Sequence, residues 1–194
     1  QAKYASEIFL DTEIEEQKIE QLHKQLLLQQ GNVVLIGMPS CGKTTIGKEL
    51  AVQLQKQFVD IDEEIVFKIG MPIADYFQKY GEDAFRDREE EVIKEFSAKN
   101  NLVISTGGGC VKREQNMMYL AMNGSIIFIQ RDLSKLVIGE GRPLSCSTAA
   151  LQQMYQQRLP LYRRYSHRTI ENNTSTERAI ESVKIAYRDI LGLK

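Results

Sequence analysis

The densest chemistry in this sequence is the stretch Gly37-Met38-Pro39-Ser40-Cys41-Gly42-Lys43-Thr44, which satisfies the pattern G-x-x-x-x-G-K-[ST] at every required position. Two glycines let the backbone turn tightly enough for successive N–H groups to converge on phosphate oxygens. Lys43 brings a point charge to the outer phosphates, and the Thr44 hydroxyl is suited to ligating magnesium. The apolar run Val33-Val34-Leu35-Ile36 reads as a buried strand ending at the loop. Behind it, Ile46, Leu50 and Leu54 share one stripe of a helix whose positive N-terminus faces the same anion. Together these features predict a nucleoside triphosphate site formed by Gly37, Ser40, Cys41, Gly42, Lys43, Thr44 and Thr45.

Further groups with chemical potential lie downstream. Phe58-Val59-Asp60-Ile61-Asp62 reads as a short strand, on which the i, i+2 spacing would set both carboxylates on one face. At the carboxyl end of a parallel strand, one acid suits magnesium and the other a substrate hydroxyl. The alternative is a strand end with solvated acids. Gly107-Gly108-Gly109 follows the apolar strand Leu102–Ser105 and implies a close approach of backbone to some other group, or else a flexible turn. Arg86 and Arg88 sit on a charged helix, where pairing with Asp83, Asp87 or Glu90 would account for them. Arg158 reads equally as a guanidinium clamp for a carboxylate or as a surface residue. His167 has no acid or second histidine at useful spacing and reads as structural.

The elements that must position these groups alternate. Helices are expected from about Thr12 to Gln30, over Glu63–Lys68 and Pro72–Lys79, from Gly81 to about Ala98, from Arg113 to Met122, and from Thr176 to Leu191. Strands are expected at Ile126–Ile129 and from His167 to Ile170, besides those already named. This alternation predicts an α/β fold with a parallel sheet. Residues 131–150 have few apolar anchors, and the segment around Gly139–Ser145 reads as a loop that covers phosphates.

The chain has 194 residues, 42% of them hydrophobic, enough for one domain with a sizeable core and an appendage. A net charge of -1 leaves nucleic acid without electrostatic support as a partner. Cys41, Cys110 and Cys146 are odd in number and lack metal-type spacing, so reduced thiols in a cytoplasmic protein are expected. No apolar run approaches a membrane span. The start at Gln1 reads as a fragment or a processed chain, and residues 1–30, rich in Glu, Gln and Lys, read as a helical extension before a domain at 31–194.

Taken in order, Gly37–Thr44, Asp60-Ile61-Asp62, Phe85-Arg86, Gly107–Gly109, Arg142-Pro143-Leu144 and Arg158-x-Pro-Leu-Tyr162 resemble shikimate kinase from about Gly31 to the C-terminus. The resemblance implies a three-layer P-loop kinase with a central five-stranded parallel sheet and a lid loop. It implies transfer of the γ-phosphoryl of ATP to the 3-hydroxyl of shikimate with Mg2+. By the same resemblance Thr44 and Asp60 would hold magnesium, and Lys43, Asp62 and Arg142 would be catalytic, with Arg142 also on the nucleotide. Asp62, Arg86, Gly107, Gly108, Gly109 and Arg158 would bind shikimate. That assignment overrides the surface-pair reading of Arg86. Residues Gln1–Phe9 resemble the C-terminal helix of shikimate dehydrogenases, which implies a kinase domain cut from a fused chain and monomeric by itself. Two departures stand out: Leu136–Gly141 is short and lacks an arginine that many members set against adenine, and Ser145 replaces a leucine. Weakened ATP affinity is the expectation. Another small-hydroxy-acid kinase, such as a gluconate kinase, and a weakened nucleotide-binding regulatory domain are the rival readings.

Overall fold

The computed structural model describes Lys3, residues 15–136 and residues 148–193. Five strands form one sheet in the order β2-β3-β1-β4-β5: β1 (Asn32–Ile36), β2 (Gln57–Asp60), β3 (Leu102–Ser105), β4 (Gly124–Gln130) and β5 (Arg168–Glu171). Every pairing is parallel. Parallel neighbours require crossovers, which here are helices lying on both sides of the sheet. The α/β expectation therefore holds, five strands included. β1 sits in the centre, where Val33, Val34, Leu35 and Ile36 are completely buried, and a strand covered on both faces needs an unbroken apolar run of this kind.

Helices follow as α1 (Glu16–Gln30), α2 (Lys43–Leu54), α3 (Ile61–Ile69), α4 (Ile73–Ser97), α5 (Glu114–Ala121), α6 (Thr148–Tyr165) and α7 (Thr176–Ile190). Most predicted helices recur with shifted ends. The expected helices over Pro72–Lys79 and from Gly81 are joined as α4, with a break in helical geometry at Gly81. α6, from Thr148 to Tyr165, was not anticipated as a helix, and it carries Pro160 inside it. α7 buries Ala179, Ile180, Val183, Ala186 and Tyr187, and its Ser175 cap accepts from the Arg178 N–H at 3.3 Å. His167 has the structural role expected of it, its Nδ1 accepting from the Ile126 N–H at 2.9 Å.

α1 buries none of its residues, but its C-terminus is held by side-chain donors. Lys56 donates to the carbonyls of Leu28, Gln29 and Gly31 at 2.8–3.1 Å, and the Tyr187 hydroxyl lies 3.1 Å from the Leu28 carbonyl. These donors satisfy carbonyls that a helix end leaves open. Burial pulls the Lys56 ammonium down to about 8. The peptide resembling a dehydrogenase tail, apart from Lys3, lies outside the described residues, as does the predicted helix start at Thr12. Among the described residues no helix is long and apolar enough to cross a membrane.

Candidate active site

The phosphate loop joins β1 to α2 with its backbone in the shape an anion cradle needs. Ser40 and Gly42 have φ of 63° and 101°, and left-handed residues interleaved with right-handed ones turn consecutive N–H groups inward. Gly42 also caps α2, so the helix N-terminus opens on the same spot. Lys43 is buried and donates from Nζ to the carbonyls of Gly37 at 3.0 Å and Met38 at 2.9 Å. These contacts hold the ammonium across the loop. The Thr44 hydroxyl donates to Asp60 Oδ2 at 2.7 Å. From the far side, Asn172 Nδ2 donates to the Cys41 carbonyl at 2.8 Å. Asn172 was not anticipated, because in sequence Asn172-Asn173 looks like any turn.

The acidic pair is arranged differently from the expectation. β2 ends at Asp60, and Asp62 lies in the first turn of α3, so the two carboxylates do not share a strand face. Asp60 Oδ1 accepts from the Asp62 N–H at 3.0 Å and caps α3, which begins where a strand was predicted to continue. One Asp60 oxygen thus fixes the helix while the other meets Thr44. Both acids still line the same cavity.

Opposite the loop, α4 presents Arg86 and Glu89. Arg86 pairs with Glu89 at 2.6 Å and Glu82 at 3.2 Å, not with the Asp83, Asp87 or Glu90 partners considered from spacing. Asp87 and Glu90 pair with Arg113 instead, while α4 turns Arg86 inward, leaving it 6% exposed. Burial works against the Arg86 charge, but Glu89 and Glu82 outweigh it and hold the guanidinium above its ordinary value. Glu89 is fully buried, and burial raises its carboxyl above the usual range against the pull of Arg86. Its Oε1 has no hydrogen-bond partner. Sequence reasoning missed Glu89, although its i, i+3 spacing from Arg86 was a usable signal.

The triple glycine answers its expected purpose of close approach. A Cβ on Gly107 would lie 2.5 Å from Asp62 Oδ1, one on Gly108 2.8 Å from Pro39 Cδ, and one on Gly109 2.4 Å from an Arg86 nitrogen. No side chain fits. α6 closes this side: Arg158 and Tyr162, one turn apart, donate to the Gly108 carbonyl at 2.9 and 2.6 Å. Tyr162 also stacks on Phe128 of β4 with ring centroids 5.0 Å apart.

These groups surround a cavity of about 500 Å³. Ser40, Gly42, Lys43, Thr44, Thr45, Asp60, Asp62, Arg86, Gly107, Gly108, Gly109 and Arg158 all line it. Cys41 is buried, and Gly37 meets the site through its carbonyl contact with Lys43. Arg131 lines the cavity too and was not foreseen. Arg142, Ser145 and the loop around them lie outside the described residues. Thr44 and Asp60 supply two hard oxygens side by side, which fits a magnesium ion completed by phosphate and water oxygens.

The shikimate kinase family model matches residues 39–187. A shikimate kinase from Clostridium botulinum (strain Eklund 17B / Type B) is 36% identical over 159 residues, spanning 80% of this chain and 96% of that protein. One from Nitrosomonas europaea is 36% identical over 156 residues, 77% of this chain and 74% of the other. The solved shikimate kinase from Acinetobacter baumannii in complex with shikimate superposes with a TM-score of 0.78 at 31% identity, covering 87% of this chain and 97% of that one. A gluconokinase from Sinorhizobium meliloti 1021, at TM-score 0.59 and 16% identity, shares the fold alone. With a phosphate loop, an acid pair and an arginine-lined pocket in one cavity, and with relatives matched over most of its length, this chain belongs to the shikimate kinase family.

Proposed function

We propose that this protein transfers the γ-phosphoryl group of ATP to the 3-hydroxyl of shikimate, giving shikimate 3-phosphate and ADP. One observation carries the reading: a single cavity joins an anion-binding loop to Arg86 and Arg158, with Asp62 among its lining residues. The loop amides and Lys43 hold the β- and γ-phosphates, with Gly37, Ser40, Cys41, Gly42, Thr44 and Thr45 shaping that end. Thr44 and Asp60 would hold Mg2+, which when bound neutralises charge on the phosphate oxygens.

At the other end Arg86 and Arg158 grip the shikimate carboxylate, since planar guanidiniums match a carboxylate's two oxygens. Gly107–Gly109 bring backbone against the ring, and the Gly108 N–H is a donor to a substrate oxygen. Asp62 accepts the hydrogen bond of the 3-hydroxyl and aims its oxygen at the γ-phosphorus. As that P–O bond forms, the bond to the β-phosphate oxygen breaks, and the hydroxyl proton passes to Asp62. Little further chemistry is asked of the protein, because positioning and charge neutralisation supply most of the rate in such transfers. Arg142 is assigned to the transferring phosphoryl by resemblance. Residues 31–194 form the kinase, and residues 1–30 an appendage.

The test is a coupled assay of ADP release with ATP and magnesium, offering shikimate, gluconate or no acceptor. Shikimate-dependent release is the expected result. Release with gluconate alone would reassign the acceptor, and shikimate binding without release would leave a regulatory domain.

A further inference from the structure

We infer that Arg131 is a binding residue for the phosphate tail of the nucleotide. The inference rests on the kinase reading and deepens its nucleotide half. Arg131 directly follows β4, at the carboxyl end of the strand beside β1, where parallel sheets collect their ligands. It lines the cavity that Lys43 and Thr44 line.

Its backbone is fixed relative to the phosphate loop on both sides. The Asn172 N–H donates to the Gln130 carbonyl at 2.8 Å, and the Asp132 N–H donates to Asn173 Oδ1 at 2.8 Å. Asn172 in turn holds the Cys41 carbonyl. At Gly37 the chain passes so near β4 that a Cβ would lie 2.5 Å from the Ile129 carbonyl oxygen. The base of the Arg131 side chain is therefore tied to the loop that cradles phosphate.

The guanidinium itself is uncommitted. Arg131 Nε is buried with no hydrogen-bond partner, and among the described residues no carboxylate pairs with the group. The adjacent Asp132 carboxylate already meets Asn173 and Lys135. The other cavity cations are engaged: Lys43 on carbonyls, Arg86 on Glu82 and Glu89, Arg158 on Gly108. A buried donor left open in a ligand cavity is satisfied when an anion arrives, and a guanidinium fork suits two phosphoryl oxygens. Its tie to the phosphate loop, rather than to α4, selects the nucleotide's phosphates over the acceptor carboxylate.

Calorimetric titration of the full chain with ATP, ADP and AMP, and separately with shikimate, tests this in wild type, Arg131→Ala and Arg131→Lys. Arg131→Ala is expected to weaken ATP and ADP by at least about tenfold and to leave AMP and shikimate within about twofold. Arg131→Lys should recover part of the loss, since it keeps the charge without the fork, and it serves alone if the alanine variant does not fold. ATP and ADP affinities within about twofold of wild type in both variants would overturn the assignment, as would an equal loss for AMP or a loss confined to shikimate. Because ATP is titrated without acceptor, a wrong acceptor would appear in the turnover assay and leave this result standing.

Discussion

The two ends of the cavity are built in different ways. The phosphate end is one short run of chain, Gly37 to Thr45, shaped by backbone dihedrals and anchored on the fully buried β1. The acceptor end collects Asp62 from α3, Arg86 and Glu89 from α4, Gly107–Gly109 after β3, and Arg158 from α6. At the first, the backbone forms the cradle and the lysine is parked on carbonyls. At the second, buried charges balance one another, with Arg86 between Glu82 and Glu89. The difference teaches where each end is vulnerable. A dipole cradle loses function when the lysine at its centre goes, whereas a charge cluster also answers to pH and to the loss of any partner.

The strongest way to break the comparison is at Lys43. Lys43→Ala should lower kcat by about a thousandfold, as removal of a group aimed at developing charge does, while shikimate binding measured by calorimetry stays as in wild type. Loss of shikimate affinity in that variant would show that the two ends do not act separately.

A smaller effect is expected from the acceptor end. Arg158→Ala should raise the shikimate KM by about 10- to 100-fold, the worth of charge-assisted hydrogen bonds to a carboxylate, and leave the ATP KM within about twofold. An unchanged shikimate KM in steady-state kinetics would remove Arg158 from the clamp. The Arg131 titrations sharpen the same division from the nucleotide side.

The smallest effect concerns pH. Burial raises the Glu89 carboxyl above its ordinary 4.5, so with rising pH the unfolded chain releases this proton before the folded protein does. The folded state then holds more protons than the unfolded one, and stability falls as pH climbs above 4.5. Glu89→Gln removes that slope. The melting temperature of the variant, relative to wild type, should increase between pH 4.5 and neutrality. A difference that is flat or falls over this window would mean Arg86 keeps Glu89 ionised throughout.

How much could be read in advance differed between the ends for the same physical reason. The phosphate loop is local, so the spacing of Gly37, Gly42, Lys43 and Thr44 was sufficient to place a strand, a turn and a helix around an anion. The sheet was readable too, because a buried parallel strand such as Val33–Ile36 needs a continuous apolar run. Asp60 and Asp62 were found as residues but misplaced on a strand, since only the 3.0 Å cap shows that the helix starts between them.

The sequence by itself determined the α/β order, the triphosphate loop and, through an ordered set of motifs, the family. Only the tertiary structure decided that Arg86 turns inward onto Glu89, that Asn172 braces Cys41, and that Arg131 lines the same cavity with an open donor. Backbone geometry is encoded within a few neighbouring residues. A buried polar group is defined by partners that reach it from 50 or 131 positions away, as Gly108 from Arg158 and Cys41 from Asn172, and no local pattern contains them.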